Sequence, residues 1–193
     1  YDKTEPISKA AADFSEVIGV EHIEPIYIPV KTDVKMNDPD YSVQWHYHNT
    51  GQGSGRKGID MKLQEAWDQY GMFGNSNVIV AILDSGVDYD HPDLAGNIWT
   101  NEAELNGKPG VDDDGNGYRD DVHGYNFVAG SAEIHPEDHG THVAGTVGAV
   151  NNNGVGVCGV AGGRYPEKGV RLMCLQIMDA TLPDKGASLA KVM

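Results

Sequence analysis

Two stretches of this chain place proton-handling side chains where a fold would use them. In the first, the apolar run Val78-Ile79-Val80-Ala81-Ile82-Leu83 ends on Asp84. Such a continuous run predicts a parallel strand buried on both faces. In open parallel sheets, functional groups gather at the carboxyl ends of strands. A carboxylate there is poorly solvated and needs a partner. The plainer reading has Asp84 cap the following Ser85-Gly86 turn. In the second stretch, polar residues give way to small and apolar ones through Glu137-Asp138-His139-Gly140-Thr141-His142-Val143-Ala144-Gly145. This predicts a helix that starts near His139 and runs to about residue 149. The helix dipole favours the neutral imidazole at that end, the form that serves as a general base. Gly140, Ala144, Gly145 and Gly148 would let the helix approach a neighbour closely. His142 lies near the same face, which raises a metal hydrolase built on His139, His142 and Asp84. The i, i+4 spacing and adjacent glutamate of the zinc motif HExxH are missing, so that reading is weak.

A third stretch is dense in oxygen donors. In Val111-Asp112-Asp113-Asp114-Gly115-Asn116-Gly117-Tyr118-Arg119-Asp120-Asp121, an EF-hand-like register puts Asp112, Asp114 and Asn116 at positions 1, 3 and 5. Gly117 then makes the sharp turn, Tyr118 offers its carbonyl and Asp120 takes position 9. Position 12 is His123 instead of glutamate, so the bidentate ligand is missing and Asp121 is expected to supply the oxygen. Carboxylates this close repel one another without a cation. Calcium is the expected ion, against the alternative of a solvated acidic turn.

The elements that must hold these residues follow from periodicity. Residues 6–19 read as a short helix, 20–30 as an edge strand restricted by Pro25 and Pro29, and 31–40 as a polar linker. Asp60 is placed to cap a helix through Tyr70, with Leu63, Ala66, Trp67 and Tyr70 on one face and Gly71 as the stop. A strand is expected at 170–178 and a last helix from Gly186, with no stop signal before Met193. Helices alternating with a buried strand predict an α/β fold. The match Gly53-Ser54-Gly55-Arg56-Lys57-Gly58 to a dinucleotide loop follows no apolar strand and is set aside. Cys158 and Cys174 sit in apolar surroundings and are expected as buried free thiols. A formal net charge of −15 argues against nucleic acid or an anionic membrane as the partner. No apolar run approaches the ~20 residues of a membrane span. The chain begins without an initiator Met and ends inside a helical pattern, so it is read as a piece of something longer.

Taken together, the segments closely resemble the subtilase family. Ala81-Ile82-Leu83-Asp84-Ser85-Gly86-Val87-Asp88, with His91-Pro92-Asp93-Leu94, is similar to the family's aspartate motif, and His139-Gly140-Thr141-His142-Val143-Ala144-Gly145 to its histidine motif. They occur in subtilisin order. The likeness runs from about Asn37 to the end. It implies a subtilisin-like parallel sheet flanked by helices, present only in part, with a catalytic domain over 36–193. Asp84 would orient the imidazole of His139, and His139 would take the proton of an attacking serine. That serine and the oxyanion asparagine lie downstream in the family and are not in this chain, so the piece alone is expected to be inactive. Ser188 has no nucleophile motif around it, and Ser85 is expected to fix the turn. The resemblance also implies a second calcium site. Asn153 would give its side chain, Asn151, Val155 and Val157 their carbonyls, and Asp93 its carboxylate. Val20-Glu21-His22-Ile23-Glu24-Pro25-Ile26-Tyr27 resembles the end of a subtilase propeptide. Residues 1–35 are therefore read as the tail of an inhibitory propeptide with its linker, cleaved within 30–40.

The function this implies is a calcium-stabilised serine endopeptidase, secreted or in the cell envelope. Its expected partners are protein or peptide substrates, its own propeptide as inhibitor, and the remaining C-terminal part of the same protease. The alternative is a non-catalytic pseudoprotease or a calcium-dependent interaction module with the same fold.

Overall fold

A computed structural model describes residues 34–179 of the chain. The helix expected at 6–19, the strand at 20–30, the helix from Gly186 and the whole of the propeptide-like motif lie outside the described residues. Three parallel strands form the main sheet in the order β1-β5-β2. They are β1 (Ile79–Asp84), β5 (Arg171–Gln176) and β2 (Gly124–Asn126). The register pairs Asp84 with Gln176 and Asn126 with Gln176, so three polar residues line up at the carboxyl ends of the strands. The helices are α1 (Leu63–Tyr70), the short α2 (Glu102–Leu105) and α3 (Asp138–Gly148). A two-stranded hairpin, β3 (Gly163–Arg164) with β4 (Glu167–Lys168), precedes β5.

One face of the sheet carries the core. Ile82, Leu172 and Cys174 pack with Ala144 and Ala149 at the α3 end and with Val87, Leu94, Ile134 and Val170 from the loops. A second cluster joins Tyr47, Trp67 and Cys158, with Met36, Leu63 and Phe73 against it. The opposite face of β1 departs from the sequence expectation. Ile79 is 42% and Leu83 41% exposed, so burial alternates along the strand. Among the described residues a single helix layer lies on the sheet, and a strand covered on one face shows the period of two.

Two expectations for α1 also change. The helix starts at Leu63, and Asp60 does not cap it. Its carboxylate accepts instead from the backbone N–H groups of Asn49 (2.8 Å) and Lys62 (3.0 Å). Tyr70 is 58% exposed and falls off the buried face. Gly71 ends the helix in the left-handed conformation, as the sequence predicts. The segment read as a linker is packed from Val34, where its description begins: Val34 is buried, and its N–H donates to Asp68. The two thiols are free and buried, and belong to different clusters.

The small residues of α3 do not all serve close approach. A Cβ on Gly140 would fall 2.1 Å from the carbonyl oxygen of Gly86, and one on Gly148 would press on Leu172 at 3.1 Å. Gly145 has open space around it. Ala fits a helix better than Gly at such a site, mainly by restricting the unfolded chain. Gly145→Ala is therefore expected to raise stability by about 0.4–1 kcal/mol. Gly140→Ala is expected to lower it by about 1–3 kcal/mol, the usual cost of overpacking. Urea unfolding of the two variants checks both signs.

Candidate active site

Asp84 ends β1 and is 7% exposed. His139 sits in the first turn of α3, with its side chain 73% exposed. Fifty-five residues separate them in the chain, yet His139 Nδ1 lies 2.6 Å from Asp84 Oδ1. An ionised carboxylate only accepts, so the Nδ1–H donates and Nε2 is left as the free acceptor. Burial raises the cost of charge on Asp84. The hydrogen bonds from His139 and from the backbone and side chain of Ser85 outweigh it, and hold the carboxyl below the usual carboxylate range. The backbone N–H of Ser85 donates to Asp84 Oδ1 at 2.7 Å.

The approach of the two elements rests on glycine. Gly86 has φ +125°, and a Cβ there would fall 2.0 Å from the carbonyl oxygen of His135. Side chains at the strand ends then fix the loop that leads into α3. Gln176 Oε1 accepts from the N–H of His135 (2.9 Å), and Asn126 Nδ2 donates to the carbonyl of Glu133 (2.9 Å). Thr141 Oγ1 accepts from the N–H of Asp88 (2.9 Å), tying α3 to the loop after β1. His142 is exposed and lines a groove of about 630 Å³ with His46 and His91. His139, His142 and Asp84 do not form a metal-ligating cluster among the described residues.

The second loop brings its expected residues together. Asp93 Oδ1 accepts from Asn153 Nδ2 (2.8 Å), and its Oδ2 accepts from the N–H of Val157 (2.9 Å). The carbonyls of Val155 and Val157 accept no hydrogen bond from any described residue, whereas that of Asn151 accepts from Tyr165 N–H. Asp38, absent from the sequence-based set, joins them. It accepts from the N–H of Asn152 (2.7 Å) and from the Cys158 thiol (3.2 Å). Both carboxylates are buried, and burial followed by the repulsion of Asp38 pushes Asp93 up. Asp38 lies far from the loop in sequence, in a stretch that read as linker, so only its acidity could have signalled it.

In the acidic loop, Glu104, Asp112 and Asp114 bring carboxylate oxygens within 4.8 Å of one another. Glu104 was missed because it lies on α2, ahead of the loop. It is buried, and accepts from the N–H groups of Asp113, Asp114 and Asp120. Asp112 accepts from the N–H groups of Gly115, Asn116 and Gly117, so the loop winds around it. Asp121 is buried beside Asn101 and Asn116, and burial pushes its carboxyl up, with Asp114 and Glu104 adding to the effect. Asn116 presents its amide nitrogen to Asp114 and Asp121. The ring of Tyr118 packs on Tyr125 and Phe127. The expected place of Asp120 in the cluster needs correction. Its carboxylate turns to the N–H of Gly110, drawn there by a left-handed backbone at φ +55°. His123 likewise faces Trp99 and Tyr89, away from the acidic cluster.

Residues 75–165 match the family model described as the subtilase family. The chain belongs to this family. It is 43% identical over 130 residues to subtilisin-like protease 1 of Plasmodium vivax, across 66% of this chain and 19% of that protein. It is 38% identical over 150 residues to neuroendocrine convertase 2 of Homo sapiens, across 73% of this chain and 19% of that protein. The crystal structure of the Aeromonas sobria serine protease in complex with its chaperone aligns with a TM-score of 0.52 at 27% identity, over 80% of this chain and 23% of that one. The chain thus spans about a fifth of the curated relatives it matches.

The depressed ionisation of Asp84 has a consequence for acid stability. A carboxyl lowered by folding contributes stability above its unfolded value of about 3.9 and loses it as pH falls through the folded value. Asp84→Asn removes that contribution. The stability gap between parent and variant is expected to be fullest near neutral pH and to shrink below about pH 4. Urea unfolding across pH 2–7 tests this.

Proposed function

We propose that this chain is part of a serine endopeptidase in which Asp84 and His139 drive the proton transfers. The observation that carries the reading is the 2.6 Å contact between Asp84 Oδ1 and His139 Nδ1, with the imidazole otherwise open to solvent. Asp84 holds the tautomer that leaves Nε2 free. Nε2 takes the proton from a serine hydroxyl supplied by the rest of the protein, as the hydroxyl attacks a peptide carbonyl. It then passes the proton to the leaving amine. Asp84 remains ionised throughout and stabilises the imidazolium.

Calcium fits two places. Asp38, Asp93, Asn153 and the carbonyls of Val155, Val157 and Asn151 form an oxygen-rich set around two buried carboxylates, with no Lys or Arg paired to either among the described residues. Glu104, Asp112, Asp114 and Asp121, with Asn116 and the carbonyl of Tyr118, form the other. Hard oxygen donors of this kind suit Ca²⁺. When bound, it would neutralise the carboxylates and hold the loops. Asp120 has no place in this set.

Residues 1–35 are assigned to the tail of an inhibitory propeptide and its linker. Val34 and Asp38 are packed into the domain, which favours the N-terminal side of Val34 for a cut within 30–40. Peptide substrates and the remaining part of the protease complete the expected partners, and secretion or the cell envelope the location. No helix among the described residues is long and apolar enough to cross a membrane.

A fluorophosphonate probe tests the activity. The complete protein is expected to be labelled, and His139→Ala to lose the label. A folded complete protein that takes no label would falsify the reading in favour of a non-catalytic module. For the ions, chelation is expected to lower the melting temperature. Asp93→Asn and Asp114→Ala should each reduce that response, and a melting curve indifferent to chelator counts against both sites.

A further inference from the structure

We infer that the groove along α3 receives the part of a peptide substrate that follows the cut, and that it selects a lysine or arginine there. The inference rests on the protease reading of Asp84 and His139. The groove follows one face of the helix, since Asp138, His142, Gly145 and Ala149 line it at helical spacing. From the first to the last of these the helix rises about 16 Å, the span of about five residues of extended chain. Buried Leu94 and Ala149 give the groove an apolar floor. Charge decides the occupant. Every fixed charge on the described lining is negative: Asp40, Asp88, Glu137 and Asp138 join Asp93, and no Lys or Arg is among them. Asp93 is engaged by Asn153 and Val157. The other four carboxylates accept no hydrogen bond and form no ion pair among the described residues.

These four come from three segments that fold around one opening: the stretch before Tyr41, the loop after β1 and the start of α3. Their repulsion is unrelieved by any basic side chain of the lining. A lysine or arginine matches both parts of the groove, its apolar stem against the floor and its charged head against the carboxylates. The place of that side chain relative to the cut follows from the chemistry. His139 Nε2 hands its proton to the leaving amine, so the nitrogen of the residue after the cut lies within hydrogen-bond reach of the imidazole. Glu137 and Asp138 immediately precede His139, so the acidic end of the groove opens beside the point where the leaving segment begins. The first three residues after the cut extend about 10 Å from there, within the length of the groove.

The test uses the complete protease and a peptide that it cuts, with Ala, Lys, Arg or Glu placed in turn at each of the first three positions after the cut. At one of these positions Lys and Arg are expected to raise kcat/KM about 3- to 30-fold over Ala, and Glu to lower it. The preference should shrink as salt rises from about 0.05 to about 0.5 M, because the groove is open to water. Asp138→Asn and Asp88→Asn, one on the helix and one off it, should each reduce the Lys-to-Ala ratio about twofold or more. Asp138→Lys should turn the preference towards Glu. The ratio is read within each variant, so a general loss of rate does not enter it, and if one variant fails to fold the other decides. Equal rates for Lys, Ala and Glu at all three positions overturn the proposal. So does a preference that the Asn variants leave intact, or one that appears only for residues before the cut. A complete protein that takes no fluorophosphonate removes the protease reading instead. Fluorescence anisotropy with labelled Ala-Lys-Ala-Ala-Ala and Ala-Glu-Ala-Ala-Ala then reads the groove directly: tighter binding of the first upholds its choice of a basic side chain, and equal affinities overturn it.

Discussion

The site depends on a backbone contact that no side chain would permit. Gly86 and Gly140 meet closely enough that a Cβ on Gly140 would sit 2.1 Å from the Gly86 oxygen. That contact brings the end of β1 against the first turn of α3. It is the reason a carboxylate and an imidazole far apart in sequence share a 2.6 Å hydrogen bond. The remaining polar contacts are fasteners around this point. Gln176 and Asn126 hold the loop entering the helix, and Thr141 ties the helix back to the loop after the strand. Each fastener is a side chain meeting a backbone group, which fixes geometry at a modest net energy of about 1 kcal/mol each.

The same helix links the candidate active site to the candidate calcium loop around Asp93. Its first turn carries His139, and the chain leaving its last turn runs directly into Val150 and Asn151. The N–H of Val150 donates to the carbonyl of Asp93 (2.8 Å), and the N–H of Asp40 to that of Gly156 (2.9 Å). Gln44 grips Cys158 from both sides, accepting from its N–H and donating to its carbonyl. The segment from Val34 to Tyr47 is thereby sewn to the loop after α3. The described part of the stretch that reads as linker becomes part of the domain because Asn37 and Asp38 find backbone partners more than a hundred residues away.

This marks what the sequence could and could not reveal. Asp84 and His139 were legible because each sits at a transition between patterns: apolar run to turn, polar stretch to helix. The parallel sheet and α3 were legible for the same reason. Asp38 and Glu104 were not recognised as site residues, since their roles arise from contacts between segments and not from local pattern. Asp120 was misplaced because an EF-hand register fixes spacing alone, and its left-handed backbone swings the carboxylate out. Tyr70 was misplaced because helical phase marks a face without showing how far the neighbouring layer extends.

Comparison of the buried aspartates separates two uses of one residue type. Asp84 loses solvation but gains donors from His139 and Ser85, and its carboxyl is held down. Asp93 and Asp121 also gain donors, from Asn153 with Val157 and from Asn101 with Asn116, yet both are pushed up. Burial is the largest cause in all three, and the neighbouring charges add to the difference. Asp84 faces an imidazole that takes on positive charge as it accepts a proton. Asp93 faces Asp38, and Asp121 faces Asp114 and Glu104. Neutral donors relieve desolvation but cannot cancel a second negative charge at close range. Where the protein supplies the counter-charge itself, the aspartate is equipped to orient a base. Where it supplies only more carboxylates and carbonyls, the calcium proposed for these loops would supply the balance.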